Sequence, residues 1–482
     1  MRRENMYYRI KENVLFRKYN EYGYITDNSM FGYRSLNDNS IWPGEEYVSQ
    51  SGAIMLDVLD KIPKDIDSII EKLLEIFVDV DLEELKSDAI EFYDMFVAAG
   101  FLASGKTYEE CKNKVDKTIQ NEGGKYENLI VSGECSKNIF NQNDFLRSLH
   151  IEVASECNER CVHCYIPHED KVKMIKSSLF YSIIEEGRKM NIINVTLSGG
   201  EPLLHKDFVR FLSRCRELDL SVNVLTNLTL LTDEILEEMK KNPLLSVQTS
   251  IYSMNSEVHD TITKVKGSFE KTKNNLLRLK ECGIPLQISC PIMKENQDSF
   301  INVVEWAKEN DISIATEYVI FASYDHTNCN LSHRLTVEEI GKAFDVQTSE
   351  VLLENLYQLA CEKNEQKSDD SVCSVCRYYL CIAANGTVFP CIGWQTKIIG
   401  DLNKQSIREV WEDNEEIKRL RDIKWSDFTK CLECNDRGYC TVCMMSNSNE
   451  NADGDPFRIN DYHCKVAAMI HKKVGIQMNI LE

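Results

Sequence analysis

Six short β-rich runs, each followed by a helical pattern except the last, fill residues 146–345, and this alternation leaves few folds open. The runs are His150–Val153, Asn194–Leu197, Ser221–Leu225, Ser246–Ile251, Leu286–Cys290 and Ser313–Tyr318. Helical patterns lie near Phe180–Met190, Asp207–Leu218, Thr232–Lys240, Phe269–Cys282 and Ser299–Asn310. Strands separated by helices pair in parallel, with the helices outside. Six such units predict an α/β fold, a partial (βα)6 TIM-like barrel, with its chemistry at the carboxyl ends of the strands.

The flanks have a different character. Residues 1–102 read as short strands (Val14–Arg17, Tyr24–Thr26, Gly32–Leu36) followed by three helices, the second starting near Pro63 with a stripe of Ile66, Ile69, Ile70, Leu73, Leu74 and Phe77. Residues 103–145 are polar and weakly patterned, a connector with one helix and the Gly123–Gly124 pair. From about residue 370 periodicity shortens and cysteines crowd, so 346–482 reads as a domain organised by metal.

Composition narrows the function classes. A net charge of −21 disfavours nucleic acid, because phosphate binding needs clustered Lys and Arg. The start, MRRENMYYRIKEN, has no apolar stretch to make a secretory signal, and no run of about 18 apolar residues could span a membrane. A cytoplasmic protein is expected. In such a compartment 19 cysteines are thiols or metal ligands rather than disulfides.

Cys157-x3-Cys161-x2-Cys164 follows the first strand of the repeat. Three thiolates can hold an iron–sulfur cluster and leave one iron free for another ligand. The competing reading is zinc, with His163 or His168 as a fourth ligand. Gly199-Gly200-Glu201-Pro202 follows the second strand, Thr226-Asn227 the third, and Ser250 lies on the fourth. A zinc site would not need those positions. Together they resemble the radical SAM superfamily over about Leu149–Tyr318. The resemblance implies a [4Fe–4S] cluster on Cys157, Cys161 and Cys164, S-adenosylmethionine (SAM) contacted by Gly199, Gly200, Glu201, Pro202, Thr226, Asn227 and Ser250, and reductive cleavage of SAM to a radical that abstracts hydrogen.

Further on, Cys376-x9-Gly386-x4-Cys391 precedes Cys431-x2-Cys434-x5-Cys440-x2-Cys443 and a separate Cys464. The competing reading is a zinc ribbon. The pattern resembles the SPASM domain of peptide-modifying radical SAM enzymes, departing by one residue before Cys443. It implies two auxiliary [4Fe–4S] clusters, one on Cys376, Cys381, Cys391 and Cys443 and one on Cys431, Cys434, Cys440 and Cys464, with Cys373 able to replace Cys376 or Cys381. That makes three clusters in all. The scattered Cys111, Cys135, Cys215, Cys282, Cys290, Cys329 and Cys361 are expected to be small buried hydrophobes or surface thiols.

The amino-terminal region, with SQSGAIMLDVL opening one helix and FVAAGFL closing another, resembles the PqqD-like recognition element of ribosomal-peptide maturases, a small winged helix-turn-helix domain. The resemblance implies a precursor peptide as partner, its leader captured as an added strand near Gly32–Leu36, and an electron donor such as flavodoxin or ferredoxin. The expected function is thioether cross-linking of the core peptide, with carbon–carbon cross-linking as the alternative. A metal-stabilised winged-helix regulator is the non-enzyme alternative. Against it, Pro63–Phe77 sets Lys64 and Lys72 against Asp65, Asp67, Glu71 and Glu75. No residue is marked by the sequence as the one that takes the leaving proton.

Overall fold

A computed structural model describes residues 6–27, 43–114, 145–167, 169 and 173–478. The expected strand at Gly32–Leu36, the Gly123–Gly124 pair, Cys135 and His168 lie outside the described residues.

The amino-terminal region carries β1 (Tyr7–Ile10), β2 (Leu15–Lys18), β3 (Tyr22–Thr26), β4 (Glu45–Ser49), β5 (Lys64–Asp65) and β6 (Leu102–Gly105). Strands β2-β3-β4 form one antiparallel sheet and β5-β1-β6 another. Helices Gln50–Asp57, Ile66–Leu74 and Leu82–Ala98 pack on them. The second helix starts three residues past Pro63. Lys64 and Asp65 pair with β1, and the Asp65 carboxylate caps the helix by accepting from Ser68 N.

The central sheet holds β7 (Ser148–Ala154), β8 (Asn194–Gly199), β9 (Ser221–Leu225), β10 (Leu245–Ser250), β11 (Leu286–Pro291) and β12 (Ser313–Glu317). All six are parallel and neighbour one another in sequence order. Two helices, Ser256–Thr263 and Ser268–Glu281, fill the β10–β11 crossover where one was expected.

Parallel strands covered on both faces usually read as unbroken apolar runs. These alternate instead. Leu149, Ile151, Val153, Val195, Leu197, Val222, Val224, Val247 and Ile288 enter the apolar core with Phe180, Phe211, Leu276 and Val303 of the helices. Their strand neighbours, which point to the other face, are polar and bond to each other: Ser198 to His150, Ser246 Oγ to Asn223 at 2.6 Å, and Gln248 to Gln287 at 2.5 Å. One face of the sheet is thus kept free of apolar packing.

The sheet continues beyond β7. Strand β13 (Tyr379–Ile382) joins β7 in parallel, and β14 (Thr387–Phe389) and β15 (Gly400–Asp401) extend it antiparallel. The cysteine-rich region therefore shares the central sheet as well as having its own helices. Its strands, two to four residues long, are too short to give a periodic signal.

Two buried arginines fasten the parts together. Arg17, 1% exposed, donates from Nε to Ile192 O at 3.0 Å and from Nη1 to Asp219 at 3.3 Å, tying β2 to the amino ends of β8 and β9. Arg334 pairs with Glu450 at 2.6 Å, joining the segment after β12 to helix Met444–Glu450 of the cysteine-rich region. Among the described residues no helix is long and apolar enough to cross a membrane.

Candidate active site

At the carboxyl ends of β7–β10 a cavity of about 270 Å³ is lined by Cys157, Cys161 and Cys164 together with Gly199, Gly200, Thr226, Asn227 and Ser250. Stretches up to 93 residues apart in sequence meet there because each follows or ends a neighbouring parallel strand.

The glycine pair is required by space. A Cβ on Gly199 would stand 1.9 Å from Ala154 O, and one on Gly200 2.3 Å from Glu156 O; Gly199 also sits at φ +127°. The backbone after β8 thus presses against the start of the cysteine loop, with Gly200 N donating to Ala154 O and Glu201 N to Glu156 O.

Glu201 and Pro202 do not line the cavity. The Glu201 side chain is fully buried beneath it, where Oε1 accepts from Leu203 N at 2.9 Å and Thr226 Oγ1 at 2.6 Å, and Oε2 from Asn227 N at 2.8 Å. Burial pushes this carboxyl up to about 7, against three donors that favour the ionised form. Its place is that of a clamp fixing the end of β9. Asn227 in turn donates to Asn158 Oδ1 at 2.9 Å, and Asn158 to Thr229 Oγ1 at 2.7 Å, so the cysteine loop and the β9 loop hold each other.

The cavity wall also includes His163, weighed from the sequence as a zinc ligand, and Ser198, Gln248, Ser289, Tyr252, His259 and Ile392, none of which the motifs single out. The alternation of polar residues along β8, β10 and β11 was the available signal for Ser198, Gln248 and Ser289. Nothing in the sequence marks Ile392, which arrives from the cysteine-rich region beside Cys391.

Cys431, Cys434, Cys440 and Cys464 line a second cavity of about 60 Å³, together with Cys443, Val442, Ala467, Asp436 and His463 among others. Cys373, Cys391 and Cys443 lie within electrostatic reach of each other, and Cys381 within reach of Cys391 and Cys376. Burial pushes Cys391 and Cys440 up to about 12, so either becomes a thiolate only with a compensating positive charge beside it. Among the described residues no three His, Cys, Asp or Glu side chains converge at single-ion spacing. Sulfurs set around cavities rather than at single-ion spacing suit iron–sulfur clusters at these places. The remaining described cysteines stand apart: Cys111, Cys215 and Cys290 are buried, Cys282 partly buried, Cys329 and Cys361 exposed.

Comparison with known proteins agrees region by region. Residues 151–307 match the radical SAM superfamily, 373–435 the SPASM iron–sulfur cluster-binding domain, and 44–102 coenzyme PQQ synthesis protein D (PqqD). The chain is 25% identical over 316 residues to AdoMet-dependent heme synthase of Methanosarcina barkeri, covering 61% of this chain and 89% of that protein. It is 22% identical over 342 residues to PqqA peptide cyclase of Gluconobacter oxydans, covering 68% and 94%. Among solved structures, Streptococcus suis SuiB bound to precursor peptide SuiA superposes with a TM-score of 0.59 at 16% identity over 94% of this chain and 99% of that one. Native anSMEcpe with bound AdoMet and a Cp18Cys peptide gives 0.53 at 17% identity, covering 69% and 97%. With its three domains matched in order and its cysteine loop at the head of the parallel sheet, the chain is a radical SAM/SPASM enzyme that carries a PqqD-like recognition element.

Proposed function

We propose that the enzyme matures a ribosomally made precursor peptide, holding the leader on the amino-terminal region (residues 1–102) and cross-linking the core peptide at the cavity of the central region (146–345). The observation that carries this is the joining, in one chain, of the cysteine-lined cavity and a PqqD-like region whose β4, among the described residues, pairs on one side only. An unpaired strand edge accepts a peptide by backbone hydrogen bonds. The solved SuiB complex with SuiA and the peptide-bound anSMEcpe support a peptide as substrate.

The cross-link we favour is a thioether from a Cys sulfur to a carbon, with carbon–carbon coupling as the alternative. A SAM cluster on Cys157, Cys161 and Cys164 would supply the hydrogen-abstracting radical. The residues around it orient SAM: Gly199 and Gly200 by close backbone approach, Thr226, Asn227 and Ser250 from the ends of β9 and β10, and Glu201 from beneath. Residues 346–482 would hold two auxiliary clusters, with Cys373 available beside Cys391 and Cys443. A flavodoxin or ferredoxin would deliver electrons.

The test compares the full-length precursor with its leaderless core. Tethering raises the local concentration of the core to roughly millimolar, so removing the leader should raise KM far more than it lowers kcat. Equal KM for both substrates would reassign the amino-terminal region as structural. Alkylation before and after turnover separates the chemistries: a thioether consumes a thiol, and a carbon–carbon bond leaves it reactive.

A further inference from the structure

Tyr252 follows β10 and is an aromatic side chain set against the cysteine loop. It is 4% exposed. Its hydroxyl lies 4.0 Å from Cys161 Sγ and 3.5 Å from His163 Nε2. Every other part of the residue is fixed. The backbone N–H donates to His259 Nδ1 at 3.3 Å, and the carbonyl accepts from Asn296 Nδ2 at 2.8 Å. The ring packs edge-on to His163 at 5.1 Å and tilted on His259 at 5.2 Å. Buried Asn296 reinforces this by also donating to Pro291 O at 3.0 Å.

A phenol donates a hydrogen bond through its O–H. Its proton can go to the His163 ring nitrogen, to the Ser250 hydroxyl or to the Cys161 sulfur. A cluster-bound sulfur is a thiolate, and a charged acceptor outcompetes a neutral one.

We propose that Tyr252 is a positioning residue for the SAM cluster, its hydroxyl donating a hydrogen bond to Cys161 Sγ and raising the reduction potential of the cluster held there. The physical basis is that donors to cluster sulfurs offset the negative charge added on reduction, and so set the potential. The inference rests on the radical SAM reading of Cys157, Cys161 and Cys164.

The experiment is an EPR-monitored redox titration of the iron-loaded full chain, parent against Tyr252→Phe, following the signal that changes on SAM addition. The variant keeps the ring and loses one hydroxyl. The expected result is a shift of that signal's midpoint to lower potential, with iron content unchanged and the midpoints of the SAM-insensitive signals unmoved. In deuterated buffer, the parent should also show an exchangeable deuteron coupled to the SAM-responsive signal, missing from the variant. An unmoved midpoint with the coupling retained would overturn the proposal. Should Tyr252→Phe lose iron, 3-fluorotyrosine at position 252 replaces it. That ring keeps the hydroxyl as a stronger donor, and the midpoint must rise; an unchanged midpoint again overturns the proposal. A parent enzyme with no SAM-responsive signal would defeat the radical SAM reading, and the Tyr252 assignment with it.

Discussion

Replacing Glu201 by Gln removes one acceptor from a fully buried group that serves three donors. The amide oxygen of Gln can keep Leu203 N and the Thr226 hydroxyl, which both bond Oε1. Its NH2 then faces Asn227 N, a donor against a donor, where Oε2 had accepted at 2.8 Å. One hydrogen bond to a charged group is lost, worth about 1.5–3 kcal/mol, and a buried N–H is left unpaired at about 1–3 kcal/mol. The two overlap, so a total of about 3 kcal/mol is expected. The cost falls on Asn227, which lines the cavity and bonds the cysteine loop through Asn158. If it is met by opening the end of β9, SAM affinity falls roughly a hundredfold. The assay is anaerobic titration of SAM into the iron-loaded enzyme, above the carboxyl's value of about 7. Iron content should not change, because Cys157, Cys161 and Cys164 are untouched. A Kd within threefold of the parent would refute the clamp assigned to Glu201.

Three other outcomes follow from the same geometry. His259 is 1% exposed and held down to about 4 by burial. The unfolded chain takes up this proton near pH 6.5, so stability is full above that value and falls as pH drops toward 4, by roughly 3 kcal/mol. Thermal melts from pH 7 to 4 should show His259→Gln losing less stability than the parent by about this amount, while His150, likewise held down to about 4 by burial, keeps its own share in both. Replacing Arg17 by Met leaves Ile192 O and part of the Asp219 carboxylate without their donor, a cost of about 3 kcal/mol at the contact. Turnover of the full-length precursor should fall toward that of the leaderless core while peptide-independent SAM cleavage is kept; parent-like turnover would show that the contact does not hold the leader in place. Cys434→Ala should lose the iron of one cluster and retain the rest, and it should lower cross-linked product; a full iron complement would remove Cys434 from the ligands.

The parallel sheet was legible because every βα unit carries its own period, and all six strands appear in the expected order. The cysteine loop and its companion motifs were legible because each ends a strand, which brings Cys157, Gly199, Thr226 and Ser250 to one cavity. Glu201 was found as a motif member, but its burial was not. The sequence cannot show that one donor from its own loop and two from the loop after β9 close over it. Strand β13 went unseen because four residues containing a cysteine resemble a loop, and its pairing partner β7 lies more than 200 residues earlier. Arg17 looked like an ordinary strand arginine, since only the docked sheet buries it. Tyr252 was hidden for the same reason. Its hydroxyl gains meaning from Cys161 and His163, 91 and 89 residues earlier.

The central claim is that Cys157, Cys161 and Cys164 hold the cluster that cleaves SAM. Replacing all three by Ala, then measuring 5′-deoxyadenosine and iron in the reconstituted enzyme under strong reductant, tests it directly. With three four-iron clusters, the variant should make no 5′-deoxyadenosine and keep about two-thirds of the iron, on the cysteines between Cys373 and Cys464. Deoxyadenosine formed at the parent rate by the triple variant would contradict the assignment.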